Sequence, residues 1–256
     1  MQDKAVQDVY NSYFRFNNQR TLSMGLPSEL CITQDSGCSI FADKTRRYDN
    51  QIIIHDSCTT EKLEKHLESF HRSCSPEIAI EPRANTLELQ SWLSNHEFAP
   101  AYEHEFLELS RADYVVSEVV SEQPSVERWS HDNVDEFLAL LKTSGLECTD
   151  EIWQKKRSLY CTDTFRCYVV KVNGKACAWA TSFIKNEYAI LANAYTQESY
   201  RSKGCQTALL RARIEDAISL GIKVMLTDVM PNSTSSKNCK SVGFIRVGVR
   251  NVWSKD

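Results

Sequence analysis

The chain has 256 residues, which at roughly 100–200 residues per domain leaves room for two. Apolar residues make up 42% and charged residues 25%, a globular balance that excludes a disordered chain. A formal net charge of −4 argues against nucleic acid as the main partner, because neutralising phosphates needs a basic surface.

The first residues, Met-Gln-Asp-Lys, lack the basic head and apolar core of a secretion signal, and no apolar run approaches the roughly 18 residues needed to span a bilayer. Val6, Val9, Tyr10, Tyr13 and Phe14 follow the i, i+3, i+4, i+7, i+8 spacing of one helix face. After the turn-rich Gly25-Leu26-Pro27-Ser28, three short strands are expected at 30–33, 39–42 and 51–55, the last an isoleucine run suited to a buried strand. Thr60 can cap a helix running to about Ser73. A strand at 77–80, a helix at 86–95 and a strand at 105–109 complete the first half.

Residues 110–126 mix β-branched, acidic and turn residues and read as an extended connector. The expected domains are therefore 1–112 and 123–256. The second opens with a strand at 126–129, then a helix capped by Ser130 or Asp132 and a short helix at 151–159. Asn173-Gly174 predicts a hairpin between strands 166–172 and 175–184, and Asn186-Glu187 turns the chain into a strand at 188–195. A helix at 204–220, a strand at 223–229, a short helix at 234–241 and a strand region at 244–253 follow. The ten cysteines form no C-x-x-C pair and no Cys/His cluster with zinc spacing, so they read as unpaired thiols of a reduced, cytoplasmic protein without a metal. The histidines at 55, 66, 71, 96 and 104 are scattered and read as surface or core residues.

Chemistry concentrates between strand 188–195 and the helix after it. Arg201-Ser-Lys203-Gly204 stands where a helix begins; first-turn amides and the helix dipole favour an anion there, and a glycine lets backbone approach phosphate. Read alone, this stretch suits a pyrophosphate loop or a surface turn equally. A second segment lies downstream, Asn232-Ser-Thr-Ser235-Ser-Lys-Asn238-Cys239 ending at Gly243-Phe244. Together, Arg201-x-x-Gly204-x-Gln206 and this segment resemble the acetyl-CoA loop and the Asn-x-x-Ala/Ser…Gly-Phe element of the GNAT N-acetyltransferase family, over about residues 123–256.

The resemblance implies an α/β fold of two acetyltransferase-like domains, each a mixed, mostly antiparallel sheet flanked by helices. In the second, a splayed strand pair would take acetyl-CoA as acyl donor. Edge amides near Ala194, Tyr195 and Thr196 would pair with pantetheine. Amides of Ser202, Lys203, Gly204, Cys205, Gln206 and Thr207 would hold the pyrophosphate, with charge from Arg201 and Lys203, and Asn232, Ser235 and Asn238 would line the cofactor arm. Ser235 or Thr234 would cap the short helix. Two positions depart from the family pattern: Gln206 where a small residue is usual, and Cys239 where many members carry a tyrosine that protonates the leaving thiolate. Asp228 is the expected general base, with Tyr195 and Glu187 as alternatives. The implied reaction is direct N-acetyl transfer to a small-molecule or peptide amine by a monomer or homodimer, without nucleic acid, membrane or covalent enzyme intermediate. The alternative is a non-catalytic acyl-CoA-binding module. Residues 1–112 contain no such loop and resemble the degenerate half of tandem acetyltransferases.

Overall fold

The alternating apolar runs and amphipathic stretches become seven helices and eleven strands in a computed structural model that describes residues 4–35, 37–46, 49–70, 75–115 and 124–255. In the first half, helix α1 (Lys4–Arg20) precedes β1 (Cys31–Asp35), β2 (Cys38–Ala42) and β3 (Gln51–Ile54), then α2 (Thr60–Glu68), β4 (Glu77–Ile80), α3 (Leu87–Asn95) and β5 (Ala99–Ser110). In the second, β6 (Val126–Trp129), α4 (Val134–Lys142), α5 (Asp150–Lys156), β7 (Phe165–Val172), β8 (Lys175–Lys185) and β9 (Tyr188–Thr196) precede α6 (Cys205–Ser219), β10 (Val224–Val229), α7 (Thr234–Ser241) and β11 (Ile245–Ser254). The expected connector runs from a 3-10 turn at Arg111–Asp113 into residues 116–123, which lie outside the described residues, as do His71 and Ser73. No helix among the described residues is long and apolar enough to cross a membrane.

Turn chemistry fixes the hairpins. Asn173 and Gly174 both take positive φ, 52° and 75°, the primed turn that matches strand twist. Thr59, not the expected Thr60, caps α2 by accepting from Lys62 N, and Ser130 caps a 3-10 turn at His131–Asn133 that leads into α4. Strand β5 runs twelve residues instead of five. Its first positions are mostly solvent-exposed and show no apolar alternation, so its length comes from pairing with β11 rather than from burial.

The two expected sheets are one. The strand order is β1-β2-β3-β4-β11-β5-β10-β9-β8-β7-β6, parallel at β3–β4 and β9–β10 and antiparallel elsewhere. The halves exchange strands. Strand β5 of the first half lies between β11 and β10, and β11 of the second half lies between β4 and β5. A division near residue 112 is thus a division of the chain and not of the sheet.

Helix α1 ties the halves together. Val6 and Val9 join the core formed by Phe137, Trp153 and Phe165 of the second half, while Phe14 packs on Phe41 of β2, ring centroids 4.7 Å apart. The three isoleucines of β3 are buried, two of them in a core with Leu63 and Leu93 of α2 and α3. Each such side chain stabilises by about 1.5–3 kcal/mol.

Candidate active site

The parallel pair β9–β10 opens as a fork. It pairs Val224 with Tyr188, Met225 with Ala189 and Leu226 with Ile190, and no further. Beyond that point β9 follows β8, and β10 follows β5 through Thr227, Asp228 and Val229. Thr227 Oγ1 donates to Leu191 O at 2.9 Å across the crotch. A bulge in the β8–β9 register, between Ala180/Ala194 and Ser182/Leu191, bends β9 away. Buried Arg213 stiffens that bulge: Nη1 donates to Thr181 O and Ala192 O, both at 3.3 Å, and Nε to Leu209 O at 3.2 Å. Arg213 escaped sequence reading, although its signal was present as a charged residue on the apolar face of α6, four positions from Leu209 and Ala217.

The fork encloses a cleft of about 380 Å³ lined by Leu191, Ala194, Gln206, Asp228, Ser235 and Cys239, among others. Tyr195 and Thr196 do not line it. Tyr195 packs near Trp179, centroids 6.3 Å apart, and Thr196 pairs with Ala178; the pantetheine expectation for these two concerned their backbone amides. Glu187 sits at the closed end of the pair, bridged to Lys223 at 2.5 Å, outside the cleft lining.

At the open end, Ser202 and Gly204 take left-handed φ of 60° and 76°. A Cβ on Gly204 would meet only Pro124 Cδ at 3.8 Å, so the glycine is needed for backbone conformation, not space. Gly204 is the N-cap of α6 and supplies no side-chain cap, which leaves the first-turn amides of Cys205, Gln206 and Thr207 without a helical acceptor. Arg201, Ser202 and Lys203 are exposed around them; Arg201 lies 3.9 Å from Glu198. The Cys205 thiol is buried and donates to Tyr200 O, so only its amide faces the loop. Gln206 Nε2 donates to Ser235 Oγ at 3.3 Å, linking α6 to α7 across the cleft.

Helix α7 is capped by Ser233, which accepts from Ser236 N at 3.1 Å, and not by Ser235 or Thr234; Ser235 is thereby left to the cleft. Asn238 and Cys239 also line it, whereas Asn232 is an exposed turn residue at φ 60° outside the lining. Burial pushes the Cys239 thiol up from its ordinary pKa, partly countered by Arg213. Gly243 ends the helix at φ 105°. The helix is anchored from the other half of the chain: buried Glu105 of β5 accepts from Ser236 Oγ at 2.7 Å and Lys240 Nζ at 2.6 Å. Burial alone would raise the Glu105 carboxyl, but these bonds outweigh it and hold it below the usual range.

A second, larger cavity of about 760 Å³ lies between α1 and the sheet, reaching from β10 to β3. Tyr13 and Asp228 line both cavities. His104 Nδ1 is 3.9 Å from Asp228 Oδ2. His55 and His104, read from sequence as surface or core residues, both face this space.

A forked parallel pair meeting a left-handed loop at a helix start places the chain among acetyltransferase-like α/β proteins. Residues 120–244 match the acetyltransferase (GNAT) family. Its fold is similar to a GCN5-related N-acetyltransferase from Kribbella flavida (11% identity, TM-score 0.64, covering 100% of this chain and 96% of that one). It is likewise similar to a functionally unknown conserved protein from Staphylococcus epidermidis ATCC 12228 (12%, 0.62, 88% and 93%). A tandem GNAT protein from the clavulanic acid biosynthesis pathway aligns at 10% identity and TM-score 0.58, covering 96% of this chain and 94% of that one. No curated protein sequence matches the chain.

Proposed function

We propose that the protein transfers an acetyl group directly from acetyl-CoA to an amine. The observation that carries this reading is the placement of Asp228: it lines both the fork cleft, which suits the pantetheine arm, and the larger cavity, which suits an acceptor. The left-handed loop from Ser202 to Gly204 and the first turn of α6 suit the pyrophosphate, with Arg201 and Lys203 adding charge. Ala194, Gln206, Ser235 and Asn238 would contact the arm, and Asn232 would stay at the rim.

The amine nitrogen attacks the thioester carbonyl, the C–S bond breaks, and the nitrogen's proton leaves to Asp228 directly or through one water. His104 Nδ1 stands 3.9 Å from Asp228 Oδ2, beyond hydrogen-bond reach, and adds to the polar surroundings of the carboxylate. The departing thiolate needs a proton. The Cys239 thiol, kept protonated by burial, lines the cleft and is the candidate donor.

The test is paired. Thermal melting with acetyl-CoA, CoA and ATP should show a rise with the two CoA species alone; a ligand at about 100 times its Kd stabilises by roughly 2.7 kcal/mol. Mass-detected acetylation of an amine panel then reads transfer, and Asp228→Asn should abolish turnover while leaving the melting shift. Binding without transfer to any amine would leave an acyl-CoA-binding module, and no shift with either CoA species would overturn the cleft assignment.

A further inference from the structure

The larger cavity has a charge pattern that the acyl-transfer reading does not require. Its lining includes three carboxylates, Asp228 at the fork and Asp49 and Glu77 across the sheet. The cations facing it are engaged elsewhere. His55 Nδ1 lies 2.9 Å from Glu81 and its Nε2 2.8 Å from Ser39, while Arg250 lies 3.4 Å from the same Glu81 and stacks over Phe106 at 4.4 Å. His104 faces Asp228, and Lys255 lies over the Phe98 ring at 4.7 Å. Asp49 has no hydrogen-bond or ion-pair partner among the described residues. Asp49 is exposed to solvent, yet the surrounding protein, and next Glu77, push its carboxyl above the usual range against the opposing pull of Arg46 and Arg20. Among the described residues, Glu77 accepts a side-chain hydrogen bond from Tyr102 Oη at 2.7 Å. The aromatic residues Tyr13, Phe14 and Phe41 also line the space, and aromatic surroundings suit an organic cation.

An independent sign of a missing polar ligand comes from α1. The Tyr10 hydroxyl is buried and has no hydrogen-bond partner, although Tyr10 lines this cavity and is influenced by Asp228. A buried hydroxyl without a partner is left short of the hydrogen bonds it has in water, and an ammonium group entering from the cavity would let its oxygen accept one.

We propose that the acceptor is a small di- or polyamine, with one amine at Asp228 and Tyr10 and a second cationic group held between Asp49 and Glu77. The placement of the reacting amine rests on the acyl-transfer reading; the distal cation site does not. Strands β10 and β4 are separated by β5 and β11, three inter-strand spacings or about 14 Å across the sheet, and a further offset along the strands adds to this, because Asp228 is opposite Phe106 of β5 whereas Glu77 lies next to the Ile78–Trp253 pair near the end of β11; the span disfavours short diamines.

The test titrates 1,8-diaminooctane, spermidine and n-octylamine into the full-length protein by calorimetry, and compares acetyl transfer to the same three. The wild type is set against Asp49→Asn and Glu77→Gln, each checked for an unchanged melting temperature. The expected result is at least tenfold tighter binding of the diamine and triamine than of octylamine, lost in Asp49→Asn with octylamine affinity unchanged. Equal affinity for mono- and diamine, or an advantage that survives both substitutions, overturns the proposal. Selective diamine binding without acetylation, in a protein that binds acetyl-CoA, would overturn the transferase reading and leave the site. Unselective acetylation of all three would keep the reading and remove the site.

Discussion

Glu105→Gln separates the role of the exchanged strand from that of the cleft it borders. Glu105 of β5 is the only carboxylate hydrogen-bonded to α7 among the described residues, through Ser236 and Lys240. A glutamine keeps the shape and one acceptor oxygen but loses the charge. Hydrogen bonds to a charged group contribute about 1.5–3 kcal/mol each. Lys240 is 44% exposed and recovers hydration once released, so that part must be discounted. A net loss of about 1–2 kcal/mol remains, or roughly 2–8 °C in Tm for a chain of this size. The sign with pH follows from the lowered carboxyl: its stabilisation is fully present above the unfolded pKa of about 4.3 and is lost as pH falls through the lower folded value. Urea unfolding at pH 7 and at stepped values below 4.5 should therefore show a constant gap between wild type and variant at higher pH that closes in acid. A gap that is absent at pH 7, or that persists unchanged in acid, would refute the anchoring argument. Acetyl-CoA affinity should fall in parallel, because α7 forms one wall of the cleft.

Arg201→Ala should weaken acetyl-CoA binding about three- to tenfold without lowering Tm, since the side chain is exposed and its one ion partner is distant; unchanged affinity by calorimetry would remove it from the loop. Gly204→Glu should cost more, because a left-handed residue with a side chain adds about 1–2 kcal/mol of strain where an anion must bind, and a Kd within threefold of wild type would count against the pyrophosphate assignment. Arg213→Met should destabilise by about 2–4 kcal/mol by leaving the carbonyls of Thr181 and Ala192 unpaired at the bulge, read as a drop in urea midpoint. Residues 123–256 expressed alone should fail to unfold cooperatively, because β10 and β11 would each lose their shared neighbour β5.

What could be read from the sequence was whatever a local pattern encodes. The hairpin at Asn173-Gly174, the helix starting after Gly204 and the isoleucine strand follow from turn chemistry and periodicity, and the loop and α7 were located because two motifs stood at a fixed separation. Pairing was not legible. Nothing in the composition of residues 99–110 announces that this strand leaves its own half, because antiparallel partners are chosen by tertiary fit. The same limit hid Glu105 and Arg213, whose partners lie 131 and 135 positions away for the first and 21 and 32 for the second. Glu187, an alternative to Asp228 as base, stands at the closed end of the pair for a related reason: the strand ends were right, but which end of a parallel pair opens depends on where the bulge falls.

The strand exchange also explains why a half without a cofactor loop stays joined to one that has it. A splayed pair needs firm neighbours on both outer edges, since each strand loses its partner beyond the fork. Strand β9 has β8 there, but β10 has only β5, from the other half. The same strand brings His104 beside Asp228 and Glu105 beneath α7, and α1 brings Tyr13 to the wall shared by both cavities. The larger cavity then takes its floor from β2, β3 and β4 of that half. Having no loop of its own, the first half is free to present this surface as an acceptor wall. Selectivity for the amine is therefore expected to change with substitutions in residues 1–112, and affinity for the acyl donor with those in 191–243.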